Sequence, residues 1–385
     1  MTDTLSPVDP KARNHPDRDD TAAPEAGTAL CLSGGGYRAM VFHIGALWRL
    51  YELGQLGTLK RISSVSGGSI TAAVLAINWR RLSFQPQNLA ADFVPHVVAP
   101  LRALASRTID AGSIIGGILL PGSIADMVAQ AYRDHLFGNR TLQDLPDEPR
   151  FVINATNVQS GALWRFSKPY MRDWRVGMVR QPTVSLAQAV AASSAFPPVL
   201  SPMIMELDPR GFVPGSGHDL QHEPFTSRVV LTDGGVYDNL GLETIWKRYQ
   251  TILVSDAGGL MAPEGEPKED WARHAYRILN VVDNQVRSLR KRQVIDSFKS
   301  GTRSGTYWGI RTDIADYGLG SDALPCPRAA TMALAELPTR LKAMPDETQE
   351  RLINWGYAVA DAALRRHLLP GLPKPAGFPY ARAGV

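Results

Sequence analysis

Lys60-Arg61-Ile62-Ser63-Ser64-Val65-Ser66-Gly67-Gly68, followed at once by Ser69-Ile70-Thr71-Ala72-Ala73-Val74-Leu75-Ala76, is the stretch whose reading decides the fold. A short strand over 60–64 runs into a turn of small residues, and a helix of small residues follows over 69–80. The same succession stands just upstream. Residues 29–32 form an apolar strand ending in Ser33-Gly34-Gly35-Gly36, and a helix over 38–53 follows, with Val41, Ile44, Leu47 and Leu50 at helical spacing. Strand, tight glycine turn and helix, twice in succession, predict an α/β protein that begins as a doubly wound parallel sheet.

Further along, residues 83–147 are helical in tendency and loosely apolar, with Ile114–Ile124 at their centre. Strands are expected over 151–156, 162–166, 229–232 and 251–255. A helix is expected over 185–192, another from Leu242, and a glycine- and proline-rich loop over 202–227. The last third reads as mainly helical. Trp271, Ala275, Ile278, Val282, Val286 and Leu289 mark one amphipathic helix, and Ile353, Gly356, Ala360 and Leu364 another. An edge strand is expected over 306–311, and an irregular tail after Leu369. The boundaries expected are a disordered lead over 1–28, a catalytic domain over 29–260 with a helical cap at 83–147, a helical region over 261–369 packed on the same domain, and the tail 370–385.

The 385 residues are 44% hydrophobic and 20% charged, an ordinary globular composition. Cys31 and Cys326 cannot build a disulfide framework, so a reducing, cytoplasmic setting is the expectation. No apolar stretch approaches the ~18–20 residues a membrane span needs. The formal charge of +4 is mild, and no nucleic-acid partner is expected. Arg287, Arg290, Lys291, Arg292, Lys299 and Arg303 do cluster. They read either as a solvated helix face or as a surface for anionic phospholipid, which leaves peripheral membrane contact open.

Three constellations could do chemistry. Ser66 sits between strand and helix with small residues two before it (Ser64) and two after it (Gly68), the pattern of a nucleophile elbow. The plainer alternative is an N-cap serine, Ser66 or Ser69, satisfying backbone donors. Gly34, Gly35 and Gly36 expose successive N–H groups that suit an anion. The Tyr37-Arg38-Ala39 that follows lacks the Gly-Lys-Ser/Thr of a phosphate-binding loop, so an oxyanion hole beside the serine is favoured. Asp233-Gly234-Gly235 closes a later strand. A serine nucleophile needs a base, and His43, His218, His222 and His274 are poorly placed. That leaves a carboxylate, with Asp256 before Ala257-Gly258-Gly259 as the rival to Asp233.

Glycine loop with Arg38, elbow at Ser66 with Gly67 and Gly68, the segment Ser193-Ser194-Ala195-Phe196-Pro197-Pro198 and the late Asp233-Gly234-Gly235 occur in the order of the patatin-like phospholipases, which the chain resembles over residues 28–259. The resemblance implies a three-layer α/β/α fold with a mainly parallel central sheet and a helical C-terminal extension. It implies a Ser66–Asp233 dyad without histidine, oxyanion donors among Gly34, Gly35, Gly36 and Tyr37, and Arg38 holding that loop. No metal and no cofactor is implied, and the substrate would be a phospholipid or acylglycerol cleaved through an acyl-enzyme. Ser64 stands where the family has the elbow glycine, and Ala39 where it has a glycine after the arginine. A regulated or silent scaffold of the same fold and a non-lipid serine esterase are the competing readings.

Overall fold

A computed structural model describes residues 23–109 and 124–385. Ten strands form one sheet: β1 (Glu25–Leu32), β2 (Leu59–Val65), β3 (Arg150–Asn157), β4 (Ala162–Phe166), β5 (Tyr170–Asp173), β6 (Gly177–Arg180), β7 (Met203–Glu206), β8 (Arg228–Asp233), β9 (Tyr249–Asp256) and β10 (Ser304–Gly309). The helices are α1 (Gly36–Glu52), α2 (Gly67–Asn78), α3 (Ala99–Ala105), α4 (Ile124–Tyr132), α5 (Leu186–Ser193), α6 (Gly235–Asp238), α7 (Trp271–Lys299), α8 (Arg328–Ala335) and α9 (Asp346–His367).

The strands β10-β9-β1-β2-β3 are parallel neighbours in that order, and β4, β5 and β6 extend the sheet antiparallel beyond β3. Side chains alternate across a strand, and β1 shows what each face meets. Leu30 and Leu32 enter the large core under α1, α2 and α9, while Ala29 and Cys31 enter a smaller one with Ile252, Val254 and Val294 of α7. Helices therefore cover both faces of the sheet, which makes the three layers.

The parallel order also explains why β1 and β2 read so clearly as strands: both are flanked on each side, β2 is buried at all but Lys60, and β1 is buried over Ala29–Leu32, the stretch that reads as apolar. β10 is the edge strand expected near 306–311 and begins two residues earlier, at Ser304.

Several expectations need correcting. Strand β1 starts at Glu25, inside the segment read as a disordered lead; residues 1–22 lie outside the described part. The glycine- and proline-rich loop contains a strand, β7, pairing antiparallel with β8, because Met203 and Met205 bury against the core. No helix begins at Leu242. Asp238 accepts the amides of Leu240 and Glu243 and holds that stretch in turns, and the short helix α6 precedes it.

Of the expected cap, most of Ile114–Ile124 lies outside the described residues. The flanking Leu101, Leu104, Val128, Tyr132 and Phe137 are buried in the main core. Among the described residues, no helix is long and apolar enough to cross a membrane.

Candidate active site

The C-terminal end of β2 delivers Ser66 in a conformation L-residues rarely adopt, φ 51° and ψ −122°. That strain is of the order of 1–3 kcal/mol and persists only where the surroundings fix it. They do so here. The Ser66 N–H donates to Ser193 Oγ at 3.0 Å, and Ser193 Oγ donates to the Asn154 carbonyl at 2.6 Å. Ser64, at the position of the family's elbow glycine, is tolerated because its hydroxyl accepts a hydrogen bond from Ser69 at 3.0 Å.

Helix α2 then starts so close to the glycine loop that a Cβ on Gly67 would strike the Gly36 carbonyl, and one on Gly68 the Ser33 carbonyl at 2.6 Å. The elbow and the glycine loop are thus in direct backbone contact. The helix N-terminus beside Ser66 also favours negative charge there.

The loop 33–37 is pinned from below and above. Its Ser33 carbonyl accepts from His43 Nε2 at 3.0 Å, and His43 Nδ1 accepts from Ser255 Oγ at 2.8 Å. Trp308 Nε1 donates to the same Ser255 oxygen at 2.9 Å. Burial pushes the His43 pKa down to about 4, so the ring is neutral and structural, and its Ser33 hydrogen bond opposes that shift only in part.

Arg38 donates to the carbonyls of Ala335 at 2.8 Å, Leu337 at 2.6 Å and Ala257 at 3.0 Å. Burial, with Arg311 nearby, lowers its pKa to about 10, which leaves it charged at neutral pH.

Two of the four expected oxyanion amides are already engaged. Gly34 N–H donates to the Asn239 carbonyl and Tyr37 N–H to the Arg340 carbonyl, both at 3.1 Å. Among the described residues, no backbone acceptor takes the N–H of Gly35 or Gly36. Those two line a cavity of about 330 Å³ together with Ser66 and Asp233.

Asp233 reaches the cavity from the end of β8. β8 pairs antiparallel with β3 through Ala155↔Asp233, while β2 ends beside the preceding residue through Val65↔Asn154. The backbone of Asp233 is held by the Ala195 carbonyl, which accepts its N–H at 3.0 Å, and by Thr156 Oγ1, which donates to its carbonyl at 2.8 Å.

One carboxylate oxygen accepts the Gly235 N–H at 2.7 Å. The other is buried without an aligned partner, and the Ser66 hydroxyl is near enough to lower the pKa. Burial dominates over both and pushes Asp233 up to about 7; Asp283 adds to the rise. The glycines after it are needed for space, since a Cβ on Gly234 would strike the Asn154 carbonyl and one on Gly235 would lie 2.6 Å from Asn239 Oδ1.

Asp256 is disposed differently. Burial opposes its ionisation, but Arg287, the Tyr307 hydroxyl at 2.6 Å, the Gly258 N–H at 2.8 Å and Lys291 together hold it below the usual carboxylate range. It is a committed structural anion and does not line the cavity.

Sequence reasoning left Ser193 without a role, although the motif containing it was recognised. The segment Ser193–Ala195 clasps both sides of the site: Ser193 Oγ receives the Ser66 amide, the Ser193 carbonyl accepts the Gly234 N–H at 3.3 Å, and the Ala195 carbonyl takes the Asp233 amide. Arg277, Asp283, Arg287 and Arg340 on the cavity wall were also missed as site residues. They come from α7 and from the loop before α9, with no local motif to mark them.

Fold and site together define a mixed α/β protein with a strained serine elbow, a glycine loop against it and a buried carboxylate facing both. The chain belongs to the patatin-like phospholipase family, whose profile matches residues 30–246, more than half of its length.

No curated protein sequence matches it significantly. Solved structures similar to it include human GIVD cytosolic phospholipase A2 with methyl gamma-linolenyl fluorophosphonate, 13% identical over 90% of this chain and 58% of that one, with a TM-score of 0.48. VipD from Legionella pneumophila is 17% identical over 90% of this chain and 68% of that one, with a TM-score of 0.36. Full-length ExoU of Pseudomonas aeruginosa, in complex with SpcU, is 20% identical over 46% of this chain and 39% of that one, with a TM-score of 0.26. The chain spans 51–58% of the length of the human phospholipase chains it matches.

Proposed function

We propose that the protein is a lipid acyl hydrolase in which Ser66 is the nucleophile and Asp233 the base. The observation that supports this most is the environment of Asp233: a buried carboxyl with a pKa near 7, one oxygen tied to Gly235 and the other turned to Ser66. A base poised near the working pH combines adequate ionisation with real proton affinity.

As Ser66 Oγ bonds to the ester carbonyl carbon, its proton passes to Asp233, and the carbonyl π electrons move to oxygen. The amides of Gly35 and Gly36 stabilise that oxyanion. Gly34 and Tyr37 shape the loop instead, since their amides are spent on Asn239 and Arg340. Collapse of the intermediate breaks the ester C–O bond, and Asp233 returns the proton to the leaving alcohol. Water then attacks the acyl-enzyme, giving its proton to Asp233, and the fatty acid and free Ser66 are released.

A lipid ester as substrate is supported by family membership and by the cavity wall, where Phe196, Leu200, Leu260, Met261 and Leu341 accompany the polar groups. Contact with a membrane surface follows from such a substrate.

Product analysis on mixed phospholipid and acylglycerol vesicles tests the reading. Ser66→Ala is expected to lower ester turnover by about 10³-fold or more. Unchanged turnover in that variant would overturn the proposal, and turnover of short soluble esters alone would favour a non-lipid esterase.

A further inference from the structure

The cavity beside Ser66 is lined unevenly. Its apolar residues follow α5 and β9, whereas α7 contributes Arg277, Asn280, Asp283, Asn284 and Arg287. A saturated acyl chain has nothing to offer such a polar wall, so the wall suits the alcohol half of an ester. Asn284 shows what is missing there: its Oδ1 is buried without a hydrogen-bond partner. An acceptor left alone in the interior is unfavourable, and a donor on a bound alcohol relieves it.

The charges on the wall are matched, with one exception. Arg277 pairs with Glu264 at 3.0 Å and donates to the Ala262 carbonyl at 3.2 Å. Burial works against ionisation of Asp256 and Asp283 alike, and Arg287 counters it in both. Arg340 lines the same cavity and is exposed, and among the described residues its guanidinium has no ion pair or hydrogen bond.

The backbone fixes where that guanidinium starts. The Arg340 carbonyl accepts the Tyr37 N–H at 3.1 Å, and a Cβ on Gly36 would lie 2.8 Å from the same oxygen. The Arg340 side chain therefore springs from beside Gly36, one of the two amides proposed to hold the oxyanion. Arginine presents a rigid fork of donors that matches the oxygens of a phosphate.

We propose that the polar wall takes the alcohol half of the ester and that Arg340 sets specificity by pairing with a phosphate on that alcohol. Phosphate-bearing esters are then preferred to neutral acylglycerols. This rests on the lipid-hydrolase reading for its purpose and not for its measurement, because the contact is scored without turnover.

The test is calorimetric binding to the full chain, as Ser66→Ala so that the esters stay intact. The probes are monooctanoyl glycerol phosphate and monooctanoylglycerol, each below its micellar concentration. The phosphate ester is expected to bind at least about tenfold more tightly than the neutral one. Arg340→Gln should remove that difference. Arg340→Lys, which keeps the charge, should retain part of it and so separates loss of charge from loss of fold. With Ser66 intact, kcat/KM on the two esters should follow the same order. Equal affinity for the two esters would overturn the proposal, as would a preference that Arg340→Gln leaves in place. Inorganic phosphate that binds as tightly as the phosphate ester would make Arg340 a site for free phosphate and overturn the assignment to substrate. A preference lost in Arg340→Gln, with no hydrolysis of either ester by the intact protein, would uphold the Arg340 contact and count against the proposed function alone.

Discussion

Ser66 and Asp233 are set side by side by consecutive residues of a third strand: Asn154 of β3 pairs with Val65, the residue before Ser66, and Ala155 pairs with Asp233 itself. β2 runs parallel to β3 and β8 antiparallel to it, so the two strands end facing each other along one edge of β3. The serine and the carboxylate meet in the gap between them. Their spacing is fixed by sheet register, the least deformable part of the molecule.

The first consequence concerns pH. In the proposed mechanism Asp233 is ionised when it accepts the Ser66 proton, and burial lifts its pKa to about 7. The rate kcat/KM is expected to rise with pH and level off with an apparent pKa near 7. Asp283 contributes to the rise, so Asp283→Asn should move the midpoint to lower pH. A pH–rate profile on a soluble ester reads both, and a limb near 4 in the parent protein would contradict the assignment.

Stability should respond in the opposite sense. The Asp233 carboxyl titrates near 3.8 when unfolded and near 7 when folded, so the folded state holds the extra proton between those values. The Asp233 contribution to stability is thus full below about pH 4 and is lost as pH rises through 7. Asp233→Asn removes that loss: above pH 7 it should be more stable than the parent by up to about 4 kcal/mol at ~1.36 kcal/mol per unit, with the gap closing toward pH 4. Denaturant unfolding at pH 5 and pH 8 gives the comparison.

Asp256→Asn separates the two acids. Asp256 neutralises Arg287 and is held by Tyr307 and Gly258. Its replacement should destabilise the protein by about 3–5 kcal/mol, as expected when one partner of a buried pair is removed. The pH midpoint of activity should stay near 7. A midpoint that vanishes in this variant and persists in Asp233→Asn would reverse the roles.

Gly67→Ala tests the contact between elbow and glycine loop. Its added methyl meets the Gly36 carbonyl, and backbone cannot move aside as a side chain can. A displacement of the oxyanion loop by an ångström or so should cost about 10²-fold in kcat. Steady-state kinetics beside a folded circular dichroism spectrum would show it, and full activity would place the oxyanion donors elsewhere.

Much of this arrangement was legible from residue order. The two strand–glycine–helix units announced themselves because local chemistry dictates them: small residues where the chain turns sharply, apolar runs where strands are buried on both faces. Asp233 could be named but not separated from Asp256 on local grounds, since both end a strand before glycines. What separates them is remote. Asp256 has Arg287, Lys291 and Tyr307 as neighbours, while Asp233 has the amide of Gly235, a serine and the like charge of Asp283, with no cation acting on it.

Ser193 and His43 were equally out of reach, because a hydroxyl or an imidazole in the chain does not reveal the carbonyl it will meet. β7 and the turns at 240–247 were misread where packing and an aspartate's hydrogen bonds override composition.

The antiparallel entry of β8 has a consequence for the life of the chain. The residues of the elbow and the glycine loop are made early, but the Ser193 hydroxyl that receives the Ser66 amide, the strand that carries the carboxylate and the Arg340 carbonyl that fastens the loop all come later. A nascent or prematurely ended polypeptide therefore holds Ser66 without the carboxylate proposed as its base. Under the proposed mechanism such a copy has no turnover, and hydrolysis begins only once the later strand has docked beside β3.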